Sequence, residues 1–170
     1  MNERAVKGRR GASALWHVDS GWAFFAGPLG HNDSHAHSTA VYLAGLYGTF
    51  RLRVAGGGWV SCRSAVIRAG TPYEFDVGGD PLGVFYLEPS IDSADALAPL
   101  VGGGEEVNGA LVGSGDGSPM RAHYERRSDV ASMRAGMLDV IDFSQRKARR
   151  QIDQRICRAV GEMQARAADA

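Results

Sequence analysis

Residues 14–88 are a succession of short apolar segments, each cut off by glycine before it can become a helix. Residues 49–54 alternate, with Phe50, Leu52 and Val54 on one face and Arg51 and Arg53 on the other. That parity is the mark of a strand buried on one side. Residues 73–77 repeat it with Tyr73, Phe75 and Val77. Further strands are expected within 14–29 and over 35–46, 59–62, 64–68 and 82–87. Turns are expected at Gly56–Gly58, Gly70–Pro72 and Gly78–Pro81. The 23 glycines of this 170-residue chain suit many tight turns. Seven or eight short strands at this spacing make an all-β sandwich or barrel.

After Pro89 the pattern changes. Asp92 and Ser93 can cap a short helix ending near Leu100. Residues 102–117 are glycine-rich and carry little that would order them. Pro119 opens a helical run to about Phe143, interrupted near Gly136. Val130, Met133, Met137, Leu138 and Ile141 give that run an apolar face. Ile152, Ile156, Val160 and Met163 then mark a final amphipathic helix.

Net charge is zero, which removes any overall bias toward nucleic acid or an anionic membrane. It is unevenly spread: residues 11–120 hold four arginines against eleven acids, and residues 121–170 hold eleven Lys or Arg against seven acids. Such a shift marks a change of structural unit. The pairs Arg126–Arg127 and Arg149–Arg150 read as solvated faces. Cys62 and Cys157 lie far apart with no CxxC, so reduced thiols and a cytoplasmic location are expected. No run is long and apolar enough for a membrane span. Residues 1–13 read as a disordered tail.

Three of the five histidines fall within seven residues, at His31, His35 and His37. Alternate residues of a strand share a face about 6.6 Å apart, so His35 and His37 can converge inside a barrel. His31 lies one loop-length upstream and could reach the same point. Tyr73 can add a phenol from a facing strand, and Trp22 and Phe24 can form an aromatic wall. Imidazole donors favour Zn, Cu or Ni over Ca or Mg, which gives His31, His35 and His37 as the candidate metal ligands. His17 and His123 stand alone and read as hydrogen-bonded or surface side chains. No nucleophile–base constellation and no phosphate loop is present, so no catalytic residue is assigned.

Ser34-His35-Ala36-His37, leading into a strand that closes at Gly48, resembles the first cupin motif. The run from Val66 to Tyr73, with Gly70-Thr71-Pro72, resembles the second. The run from Asp153 to Met163 is similar to the linker and first helix of an AraC-type DNA-binding domain. Taken together, residues 14–166 resemble the N-terminal sensing domain of an AraC-type transcriptional regulator. Metal-binding cupins carry a glutamate after His-x-His and a second-motif histidine. Residues 38–43 hold no carboxylate, and Tyr73 stands in the histidine's place.

The resemblance implies a mainly β, cupin-like barrel or jelly roll over residues 14–91. A helical dimerisation part over 92–145 and a linker helix over 146–170 would follow. It implies a small-molecule or metal effector bound by His31, His35, His37, Tyr73, Trp22 and Phe24, and a homodimer formed through the helices. DNA would be contacted only through a further C-terminal domain outside these residues. The resemblance thus implies a binding module and not an enzyme. The competing expectation is a small metal-dependent cupin enzyme built on the same histidines.

Overall fold

The computed structural model describes residues 13–88 and 94–168. The expected tail up to residue 12 and the Asp92–Ser93 cap lie outside these residues. Nine strands come first: β1 (Leu15–Asp19), β2 (Trp22–Pro28), β3 (His31–His35), β4 (Ala40–Gly45), β5 (Phe50–Val54), β6 (Trp59–Cys62), β7 (Ser64–Ile67), β8 (Tyr73–Asp76) and β9 (Pro81–Leu87). Helix α1 (Ala94–Leu97) and a 3-10 turn precede β10 (Glu105–Val107) and β11 (Ala110–Gly113). Helices α2 (Ser118–Arg126) and α3 (Val130–Ala168) end the description.

All strand pairs are antiparallel. One sheet has the order β1-β2-β9-β4-β7-β11-β10 and the other β3-β8-β5-β6. From β2 to β9 every connection crosses between the sheets except the β5–β6 hairpin. The result is a jelly roll, with β2-β9-β4-β7 facing β3-β8-β5-β6. The expected β-barrel with C-terminal helices is therefore present.

Burial follows from which faces the strands must cover. Strand β5 alternates between buried and partly exposed residues, as its sequence demands. Strand β4 is buried at every position. Its inward residues Val41 and Leu43 join Leu52, Ile67, Phe75 and Leu82 inside the barrel. Its outward residues Tyr42 and Ala44 join Trp22, Phe24 and Phe85 under the helices, against Leu97, Met120, Tyr124, Met133, Met137 and Ile141. The large sheet is thus covered on both sides. Two buried hydroxyls are tied down locally: that of Ser64 donates to the Val101 carbonyl at 2.9 Å, and that of Ser144 to the Ala96 carbonyl.

Three local readings change. Residues 102–117 contain the β10–β11 hairpin, and β11 pairs with β7, so the large sheet continues past residue 91. Its turn places Asn108 at φ 48° and Gly109 at φ 96°. Asn-Gly is the residue pair that a two-residue hairpin with positive φ at both positions selects. Helix α3 runs unbroken through Gly136 and past residue 145. Gly136 is a contact point rather than a break, because a Cβ there would overlap the His123 ring. That ring is fixed by the Ser128 hydroxyl at 2.9 Å and sits edge-on to Phe24. Finally, Val130 and Leu138 do not join the buried stripe of α3; both are exposed.

Among the described residues no helix is long and apolar enough to cross a membrane. Cys62 is a free, buried thiol whose pKa burial pushes up to about 12, so it is unreactive at neutral pH.

Gly136→Ala tests the α2–α3 contact. Better helix propensity contributes about 1 kcal/mol, but overpacking against His123 costs about 1–3 kcal/mol. We expect a lower Tm for Gly136→Ala by thermal melt, and a raised Tm when the same change is made in a His123→Ala background.

Candidate functional site

The site lies at one end of the barrel, where β3 stops. His31 pairs with Asp76, Asn32 with Phe75 and His35 with Tyr73. Two residues lie between Asn32 and His35 on β3, but only one lies between Phe75 and Tyr73 on β8. The extra residue is a bulge, which reverses the facing of whatever follows it. His35 is thereby set beside the buried Tyr73, with ring centroids 4.4 Å apart. His31, before the bulge, faces outward. It lies 6.2 Å from the Trp59 ring, with Nε2 3.3 Å from an Asp33 carboxylate oxygen.

His35 and His37 do not share a strand, contrary to the sequence expectation. His35 ends β3, and His37 sits in the loop before β4. A backbone bond brings them together: the His37 carbonyl accepts from the Gly70 N–H at 2.7 Å, pinning this loop to the turn before β8. The His37 ring then lies 4.9 Å from His35, 6.0 Å from Tyr73 and 4.9 Å from Tyr86, edge-on to His35 and Tyr86. Tyr73 belongs to the small sheet and Tyr86 to the large one, so His37 closes the barrel end between the sheets. The Tyr73 hydroxyl donates to that of Tyr86, and burial holds both phenols above their ordinary value.

The hydrogen-bond accounting of the two imidazoles differs. His35 Nδ1 lies 2.7 Å from the Asp33 carbonyl. A carbonyl only accepts, so Nδ1 carries the proton and Nε2 is left for another partner. His37 Nε2 is buried and has no hydrogen-bond partner among the described residues. Burial, and then the charge of His35, hold the His37 pKa below 6.5. His37 is therefore neutral near pH 7. A buried ring nitrogen with nothing to bond is costly, and a ligand group placed against it would recover that cost.

Trp22 and Phe24, expected to wall this pocket, face the other way. Both are buried beneath the helices, with Trp22 5.9 Å from Phe85. The neighbour with the opposite parity, Phe25, faces the barrel instead. The register Val18↔Ala23↔Tyr86↔Val41 runs along the site's edge of the large sheet. On β1, Val18 is 64% and Trp16 69% exposed, forming an apolar lip beside the mouth. Tyr86, which like Tyr42 could line a pocket or pack in the core, faces the barrel end. Its signal was the alternation Leu82, Val84, Tyr86, which shares a face with the barrel core.

The residues present do not fit a metal centre. Zinc takes at least three protein donors, and here only two imidazoles converge. His31 is on the opposite face, Tyr73 is a protonated phenol, and no group of three His, Cys, Asp or Glu suited to a metal occurs among the described residues.

No protein-family model and no curated protein matches the chain. Solved structures do. The chain is similar to an RmlC-like cupin with a double-stranded β-helix fold from Methanocaldococcus jannaschii. The identity is 9% over 47% of this chain and 84% of that one, with a TM-score of 0.41. A cupin-2 domain protein from Shewanella frigidimarina is similar at 13% identity over 45% and 80%, with a TM-score of 0.39. A mutant of Bacillus subtilis oxalate decarboxylase is similar at 16% identity over 41% and 22%, with a TM-score of 0.36. Each likeness covers less than half of this chain. The strand order found here is itself that of a double-stranded β-helix, so the cupin-like fold stands on its own topology.

The pH dependence follows from His37. Its pKa is lower folded than unfolded, so below pH 6.5 the unfolded chain binds more protons. Stability is complete above that range and falls as pH drops toward the folded pKa. His123, lowered by burial and by Arg126, acts in the same direction. Thermal melts between about pH 8 and pH 5 should show a Tm that declines with acidity, and a shallower decline in His37→Gln.

Proposed function

We propose that this chain is a ligand-sensing module, with the effector seated at the barrel mouth against His35, His37, Tyr73 and Tyr86. The observation that carries this reading is the buried, partnerless His37 Nε2 within a ring of aromatic side chains. The barrel behind it is filled by side chains, so a ligand would rest in the mouth. The cluster contains hydrogen-bonding rings and no carboxylate or permanent cation. It suits a small, planar, uncharged molecule with a polar group for His37 and an apolar edge for the Trp16–Val18 lip.

A route from site to signal is built into β9. Tyr86 faces the mouth, and its neighbour Phe85 packs with Met120 and Met137 under the helices. A ligand that moves Tyr86 would bias how α3 sits, provided that it binds one arrangement better than the other. This is the logic of an AraC-type sensing domain, whose DNA reader would lie beyond these residues. Leu138 and Ile156, 49% and 56% exposed, are eighteen residues apart, which is five helical turns. They share one side of α3 and would pair with a second copy.

The test is a thermal-shift series with benzamide and related neutral rings as probes. A stabilising shift in the wild type, lost in His37→Ala and reduced in Tyr73→Phe, is expected. A shift retained in His37→Ala would place the ligand elsewhere and defeat the reading. Sedimentation should give a dimer that dissociates in Leu138→Glu with Ile156→Glu.

A further inference from the structure

A second cavity lies outside the barrel. It is a cleft of about 460 Å³ between the outer face of the large sheet and the helices. Tyr42 of β4 and Phe85 of β9 form its floor, and Met137, Val140 and Phe143 of α3 form one wall. Its size is in the range of small-molecule sites. Methionine next to aromatic rings makes a lining that adapts to varied apolar shapes.

The charged residues lining it are all of one sign. Asp116 and Asp139 line the cleft, and among the described residues no Lys, Arg or His does so. Asp116 accepts the Ser118 N–H at 3.0 Å, which holds its carboxyl below the ordinary value. Arg121 pairs with it at 4.0 Å and, with Arg63, also lowers its pKa, but neither arginine lines the cleft. Asp139 sits on α3 with Ala135 and Phe143 at the two i±4 positions, so its own helix offers no i±4 ion pair. The Tyr42 hydroxyl donates at 3.4 Å to the Leu100 carbonyl, a long bond that leaves its oxygen free to accept.

We propose that this cleft is a second ligand site, for a small organic cation with a compact aromatic or aliphatic body. The body would lie against Val140 and Phe143, and the ammonium would sit between Asp116 and Asp139. Because α3 is a wall of the cleft, occupancy would brace that helix against the sheet. The inference is independent of the barrel-mouth reading.

The test is calorimetric titration of the full chain with benzyltriethylammonium, using 4-phenylbutyrate as an anion of similar apolar content. We expect one cation site per chain, no binding of the anion at equal concentration, and weakening by added salt. Asp139→Asn, at an exposed position, should weaken binding, and Asp116→Asn with Asp139→Asn should weaken it about tenfold. Val140→Trp should abolish binding with an unchanged far-ultraviolet spectrum, whereas His37→Ala should leave it intact. Absence of cation binding, equal binding of the anion, or indifference to both Asp139→Asn and Val140→Trp would overturn the proposal. So would a dimer that dissociates in Val140→Trp, since the cleft would then be filled by a second copy.

Discussion

The structure depends on one sheet being apolar on both faces. Strands β4 and β9 are buried almost throughout, and neither can meet water on either side. One face therefore closes against the small sheet to form the barrel, and the other draws the helices onto it. Fully burying a large aliphatic or aromatic side chain is worth about 1.5–3 kcal/mol, and both faces of these strands carry several. The helices are thus part of the fold of the large sheet. Any displacement of α3 also changes what covers Tyr42 and Phe85.

This double coverage gives the molecule two places where chemistry can collect. At the barrel end the apolar filling gives way to four hydrogen-bonding rings drawn from both sheets and the loop between β3 and β4. On the far face, the fit between helices and sheet leaves a cleft whose charged residues are both acidic. Strand β9 serves both: Tyr86 faces the first and Phe85 the second. Adjacent residues on one strand link the two sites by the shortest path a backbone offers.

Much of the fold could be read from the sequence because its strands obey simple parity. Phe50, Leu52 and Val54 against Arg51 and Arg53 admit one facing, and the structure has it. Parity fails where both faces are apolar. In Trp22-Ala23-Phe24-Phe25 aromatic residues occupy both sets, so nothing local says that Phe25 looks inward and Trp22 outward. The β10–β11 hairpin was hidden by short flanks and surrounding glycines, although Asn108-Gly109 carried its turn. Gly136 looked like a helix break because the reason for a glycine there, the His123 ring, comes from another element.

The site was legible in part. Proximity of His35, His37 and Tyr73 was expected and is found, but by a bulge and a loop anchor instead of a shared strand. The same bulge sends His31 to the outer surface, which a regular strand reading could not anticipate. His37 closes the barrel end between the two sheets, and ring-to-ring nuclear Overhauser effects read that closure. Cross-peaks are expected from the His37 ring protons to the ring protons of both Tyr73 and Tyr86. A His37 ring with contacts to neither, and with the line widths of a freely rotating surface side chain, would contradict it.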